Sequence, residues 1–317
     1  MSAFTRLRFL VQSAAVAVAL TVAAWPPFTD AAPPQSIQTP AGPAAIQLSM
    51  PNKDGSLKFG VFGDFGVADK PQYELAAQMA RVHQQFKFNL MLLVGDNLYG
   101  SDRPQDFQQK FEIPYKPLLD AGVVFRASLG NHDSREQRSY KPFNMNGELY
   151  YSFSAEGVRF IALESTYPEL KQFVWLEKQL KDAKEDWKIV YFHHPLYSSA
   201  GRHGSDVGLR DKLEPLFVAY NVSVVFTGHD HVYERIKPQK DITYFVTGSG
   251  GKLSPGDLDR SSRLTAKGLD SEQVFLIAEI IKDEMTFNAV SRSGKVIDSG
   301  KIMRRQGNNP PPSSTGR

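Results

Sequence analysis

From Leu57 onward, short apolar runs alternate with amphipathic stretches. LKFGVF (57–62) reads as a strand. PQYELAAQMARVHQQF (71–86) spaces its apolar residues three and four apart with Pro71 in the first turn, the pattern of a helix packed on one face. LMLLV (90–94) and VVFRASL (123–129) read as buried strands. YYSFSAEGVRFIALE (150–164) reads as a hairpin turning at Glu156-Gly157. LKQFVWLEKQLKDA (170–183) is an amphipathic helix followed by the strand KIVYFH (188–193). LRDKLEPLFVAY (209–220) is a helix despite Pro215, followed by the strand VSVVFT (222–227). ITYFVTG, QVFLIAEII, MTFNAVS and KVIDSGKI then follow as strands. Strands alternating with helices, then a run of strands, imply an α/β (α+β) domain: a four-layer sandwich of two mixed β-sheets flanked by helices.

The ends of the chain break this pattern. Arg6 and Arg8 precede FLVQSAAVAVALTVAAW, an uncharged Ala- and Val-rich stretch, then small residues, so residues 1–31 read as a secretory signal cleaved after Ala24 or near Ala31. Residues 32–56, rich in Pro, Ala, Gln and Ser, read as a linker, 57–303 as one domain, and 304–317 as a disordered tail. The expectation is an exported protein, periplasmic or extracellular and bacterial, with no stable membrane association unless the signal stays uncleaved. The chain has 317 residues and a formal net charge of +3, without a basic run, which argues against a nucleic-acid partner. It has no cysteine, so neither a disulfide nor a thiolate metal site is available.

The chemistry sits where strands stop. Five predicted strands run into GDFG (63–66), GDNLY (95–99), GNHD (130–133), HHP (193–195) and GHDH (228–231). Sites in α/β sheets gather at the carboxyl ends of strands. Six of the seven histidines lie in these motifs or just after one; His83, in the first helix, is expected at the surface. His229 and His231 are two apart, which in an extended segment puts both imidazoles on one side.

In this order and spacing the five motifs resemble the calcineurin-like metallophosphoesterases, and most of all the compact, tartrate-resistant type of purple acid phosphatase. Tyr99 is the discriminating residue. The resemblance implies two metal ions. One, Fe³⁺, takes Asp64, Asp96, Tyr99 and His231. The other, Fe²⁺, Zn²⁺ or Mn²⁺, takes Asp96, Asn131, His193 and His229, with Asp96 bridging. Two aspartates and a phenolate suit a trivalent ion beside a divalent one, because the centre with one hydroxide then stays positive and attracts phosphate. The pattern His, one residue, Pro selects His193 as ligand and leaves His194 a structural role.

The reaction so implied is hydrolysis of small phosphate monoesters by a metal-bound hydroxide, with an acidic optimum. His132 is the candidate general acid, Asp133 the residue to orient its ring, and His203, in AGRHGSD, a substrate-side histidine that binds phosphate or shares the acid role. TGSGG (247–251) is a possible phosphate cradle, and the stretch from Lys252 to Asp270 a long exposed loop. Two alternatives stay open: a phosphodiesterase of the same fold with two divalent metals, and a catalytically silent metal-binding surface domain.

Overall fold

The computed structural model describes residues 46–307. The expected signal segment, most of the expected linker and the end of the tail lie outside them. Among the described residues no helix is long and apolar enough to cross a membrane.

The strands are β1 (Leu57–Phe62), β2 (Leu90–Val94), β3 (Val124–Ser128), β4 (Tyr151–Ala155), β5 (Val158–Ala162), β6 (Trp187–Tyr191), β7 (Val224–Thr227), β8 (Tyr233–Ile236), β9 (Thr243–Thr247), β10 (Thr265–Leu269), β11 (Val274–Ile281), β12 (Glu284–Ser291) and β13 (Val296–Met303). The main helices are α1 (Lys70–Gln85), α2 (Leu170–Asp182) and α3 (Val207–Ala219), with short helical turns between residues 104 and 143. The predicted hairpin is β4–β5. Glu156 and Gly157 both have positive φ, the geometry that a tight two-residue turn requires.

Two mixed sheets result, as the alternation of elements predicted. One has the order β13-β12-β11-β1-β2-β3 and the other β10-β8-β9-β7-β6-β5-β4. In the first, β1, β2 and β3 are parallel, and β11 pairs antiparallel with β1. In the second, β5, β6, β7 and β9 are parallel. Parallel strands send their carboxyl ends to one edge, so all five polar motifs emerge together.

Aromatic side chains hold the sheets face to face. Phe59 of β1 meets Phe160 of β5 and Phe226 of β7 edge-on, with ring centroids 5.5 and 6.2 Å apart. Phe245 of β9 meets Phe287 of β12 at 5.1 Å. At the rim, Asp298 of β13 accepts hydrogen bonds from Tyr233 and Arg235 of β8. A second apolar cluster, including Leu176, Leu180, Leu213 and Phe217, seats α2 and α3 on the second sheet.

Several local expectations changed. Ile46 is buried, and Glu279 accepts from the Asn52 and Lys53 amides, so the residues just before β1 lie against the domain. Arg304 pairs with Asp283 and the Arg305 guanidinium donates to the carbonyls of Phe217, in the last turn of α3, and Val222, just beyond it, so these first residues beyond β13 are also held. The expected loop between Lys252 and Asp270 contains β10, and the polar segment after GHDH forms β8 (Tyr233–Ile236); these two pair with one another. His83 is half-buried against Phe88 rather than on the surface.

Phe59 is fully buried between the sheets, so Phe59→Ala should cost about 3–5 kcal/mol of folding stability, read from urea unfolding.

Candidate metal centre

Backbone geometry places the candidate ligands. Asp64, Asp96 and His229 all have positive φ, a left-handed conformation that non-glycine residues adopt at a cost. Each turn reverses the chain just past a strand end and aims its side chain at the gap between the sheets. Glycines make room. A Cβ on Gly130 would run into the Asp96 carboxylate, and one on Gly228 into that of Asp64.

The donor atoms converge in two groups that share Asp96. In one, the Tyr99 hydroxyl lies 3.2 Å from Asp64 Oδ1 and 3.1 Å from His231 Nε2, and Asp64, Asp96 and His231 bring one ligand atom each within 4.8 Å of one another. In the other, His193 Nε2 lies 3.1 Å from Asn131 Oδ1, 3.3 Å from Asp96 Oδ1 and 3.2 Å from His229 Nδ1. The structure brings the seven candidate ligands together in these two groups. Two buried carboxylates, a phenol, an amide oxygen and three imidazoles facing one another suit a pair of cations, and this donor set fits a binuclear centre.

Partners behind the ligands aim them. His193 Nδ1 lies 3.0 Å from the Val94 carbonyl. The His132 amide donates to Asp96 Oδ1 and the His229 amide to Asp64 Oδ2. Lys110, paired with Asp106, donates to the Tyr99 carbonyl at 2.7 Å.

A family model described as calcineurin-like phosphoesterase matches residues 57–233, more than half of the chain and all five motifs. The chain belongs to the calcineurin-like phosphoesterase family. Among curated relatives of this phosphoesterase, tartrate-resistant acid phosphatase type 5 of Oryctolagus cuniculus is 26% identical over 310 residues, covering 81% of this chain and 95% of its own. Purple acid phosphatase 4 of Arabidopsis thaliana is 25% identical, covering 80% of this chain and 86% of its own. The fold is also that of purple acid phosphatase PPD1 from yellow lupin seeds, with TM-score 0.68 at 19% identity over 80% of this chain and 55% of that one. GAP50, the anchor in the inner membrane complex of Plasmodium, has TM-score 0.65 at 22% identity over 80% of this chain and 90% of that one.

The candidate catalytic residues of this phosphoesterase fall into different places. His132 is exposed, with its ring 4.9 Å from that of Tyr99. His203 is exposed on the other side, with its ring 4.2 Å from His229. Asp133 does not reach the His132 ring. Its carboxylate accepts from the amides of Asn97, Leu98 and Gly130 and from the Asn97 side chain, which ties the Asp96 turn to the Asn131 turn. The reason is geometric: the turn that projects His132 outward folds Asp133 inward. His194 points its Nδ1 at Ser165, 2.9 Å away, and its ring lies 4.3 Å from that of His229, tilted against it. TGSGG is no free phosphate cradle. The amides of Gly248, Gly250 and Gly251 are committed to the carbonyls of Val232, Gly63 and Asp64.

Sequence reasoning missed Ser165 and Lys252. Ser165 Oγ accepts from the amides of both His193 and His194. Lys252 follows β9 as the other motifs follow their strands, which was its one available signal.

Burial and charge set the donor groups apart. Burial, then the charge of His193, holds His194 down at about 4. Burial holds His231 at about 4 against the pull of Asp96, and burial with three neighbouring histidines holds His229 at about 2, so these imidazoles are neutral donors. Burial also opposes a charge on His193, but Asp96 and Asp64 outweigh it and raise this imidazole to about 9. Burial followed by the two aspartates raises the Tyr99 phenol far above its usual range, so a phenolate there requires a cation.

His193 must lose its proton to ligate. Metal binding should therefore release protons below pH 9, and apparent affinity for Zn²⁺ should rise about tenfold per pH unit between pH 6 and 8, measured by calorimetry in buffers of different ionisation enthalpy. Uptake independent of pH would remove His193 from the ligand set.

Asp133→Ala leaves three amides without their acceptor. It should cost about 1–3 kcal/mol for each donor left buried and about 10–100-fold in metal affinity, read from thermal melting and chelator competition.

Proposed function

We propose that this chain is an exported acid phosphatase that hydrolyses small phosphate monoesters at a binuclear metal centre, with an acidic pH optimum. The observation that carries the reading is the pair of donor clusters sharing Asp96, with the exposed imidazoles of His132 and His203 beside them. Kinship with tartrate-resistant and purple acid phosphatases supports the monoester substrate. The basic start and apolar stretch at the N-terminus support export.

Asp64, Asp96, Tyr99 and His231 would hold Fe³⁺; Asp96, Asn131, His193 and His229 would hold Fe²⁺, Zn²⁺ or Mn²⁺. Bound ions supply Lewis-acid charge to the phosphoryl oxygens and an activated water for in-line displacement. The remaining work belongs to side chains. Asp133 keeps the turns bearing Asp96 and Asn131 in register, and the Val94 carbonyl orients His193. His132 donates its proton to the leaving alkoxide; its amide is anchored on Asp96 while its ring is open to substrate and solvent. His203 lies on the opposite rim, next to His229, where it meets a phosphoryl oxygen or shares the proton. Tyr99 favours this reading over a diesterase with two divalent ions, because a buried phenol at a ligand position suits a trivalent neighbour.

Two measurements test it. Concentrated protein should show a broad visible band that bleaches on reduction, with about two metals including iron on the same sample. A colourless protein with two divalent ions would move the reading to the diesterase. His132→Ala should lower kcat on p-nitrophenyl phosphate by about 10²–10⁴-fold with metal content unchanged. Unchanged turnover would remove His132 as the acid.

A further inference from the structure

The side chain that the ligand scheme leaves without a task is Lys252. It is half-buried, and its Nζ lies 4.8 Å from the centroid of the Tyr99 ring. Among the described residues no carboxylate lies within ion-pair distance of it. Lys110, by contrast, is spent on Asp106 and the Tyr99 carbonyl. A lysine beside an electropositive centre, with no anion of its own, gains from an anion that arrives.

Its backbone is fixed on the centre from both sides. The Lys252 amide donates to the Asp64 carbonyl at 2.9 Å, and two residues later the Ser254 amide donates to the His231 carbonyl at 3.1 Å. Asp64 and His231 are two ligands of the tyrosine-side cluster, so the lysine stem starts from a position set by them. The following residues are held as well. Ala200 bridges Leu258, the Gly201 amide donates to Asp257, and the Asp259 amide donates to Ser199. The loop carrying His203 and the loop carrying Lys252 are thereby joined. Past these anchors the lysine has a flexible four-carbon stem and three donors.

We propose that Lys252 is a substrate-binding residue that reads the charge of the phosphoryl group. Its ammonium pairs with a non-bridging oxygen from the tyrosine side and so favours monoester dianions over diester monoanions. The inference rests on the phosphatase reading above and adds a residue that sets the choice between the two ester classes. A purely structural role, the cation resting on the Tyr99 face, makes a different prediction: its removal would disturb metal retention and affect both ester classes alike.

The test uses the metal-loaded full chain with two substrates that share a leaving group and differ by one charge, p-nitrophenyl phosphate and methyl p-nitrophenyl phosphate. Lys252→Met should raise KM for the monoester and weaken competitive inhibition by inorganic phosphate, each by about tenfold or more, with kcat changed by less than about threefold. KM for the diester should stay within about twofold, metal content should equal wild type, and Lys252→Arg should recover most of the monoester binding. Equal losses on both esters, or no change in either, overturn the inference. Wild-type protein that hydrolyses no monoester would instead overturn the phosphatase reading. Calorimetric binding of inorganic phosphate to wild type and Lys252→Met still decides the role of the lysine in that case: equal affinities overturn it, and a loss of about tenfold upholds it.

Discussion

Two carboxylates buried side by side, those of Asp64 and Asp96, set the terms for everything around them. Removing an ionised carboxylate from water costs several kcal/mol unless charge and hydrogen bonds replace the solvent. One amide serves each here, from His229 and His132, and the imidazole of His193 lies against Asp96. That is partial compensation for two like charges in one gap. The left-handed turns at Asp64, Asp96 and His229 add strain at the same place. Such an arrangement persists because the sheets around it are rigid, and it makes chemical sense when cations complete it.

The sandwich supplies that rigidity. Asp64, Asp96 and Asn131 come from one sheet, and His193, His229 and His231 from the other, so each donor cluster spans the interface between sheets. The distance between the donors of one sheet and those of the other is set by the packing of Phe59 on Phe160 and Phe226, and at the far strands by Phe245 on Phe287. Packing and function are linked through the backbone too: the His229 amide from one sheet caps the Asp64 carboxylate from the other.

Around this centre the groups proposed to meet substrate are carried on turns and loops. His132, His203 and Lys252 leave three different strand ends, and the last two share loops joined by the Ala200–Leu258 bridge. A rigid ligand set with loop-borne contacts allows the same centre to serve different esters by changing the rim alone.

What the sequence determined by itself was local. An apolar run that stops at a metal-capable side chain, usually beside glycine, marks a strand and its end, and five such junctions in order carried the layered fold and all seven candidate ligands, because each signal lies within a few neighbouring residues. Helix spacing was equally legible, including α3 with its internal Pro215. β8 and β10 were not, since a polar segment becomes a strand only when a partner offers its ladder. The contacts of Asp133, Ser165 and Lys252 were decided by the tertiary structure. Their partners come from other strands: amides of the Asp96 turn, amides of the HHP turn and the ring of Tyr99. Hydrogen bonds and charge contacts between distant segments leave no periodicity in the chain, so only the packing of the two sheets decides which polar residue meets which.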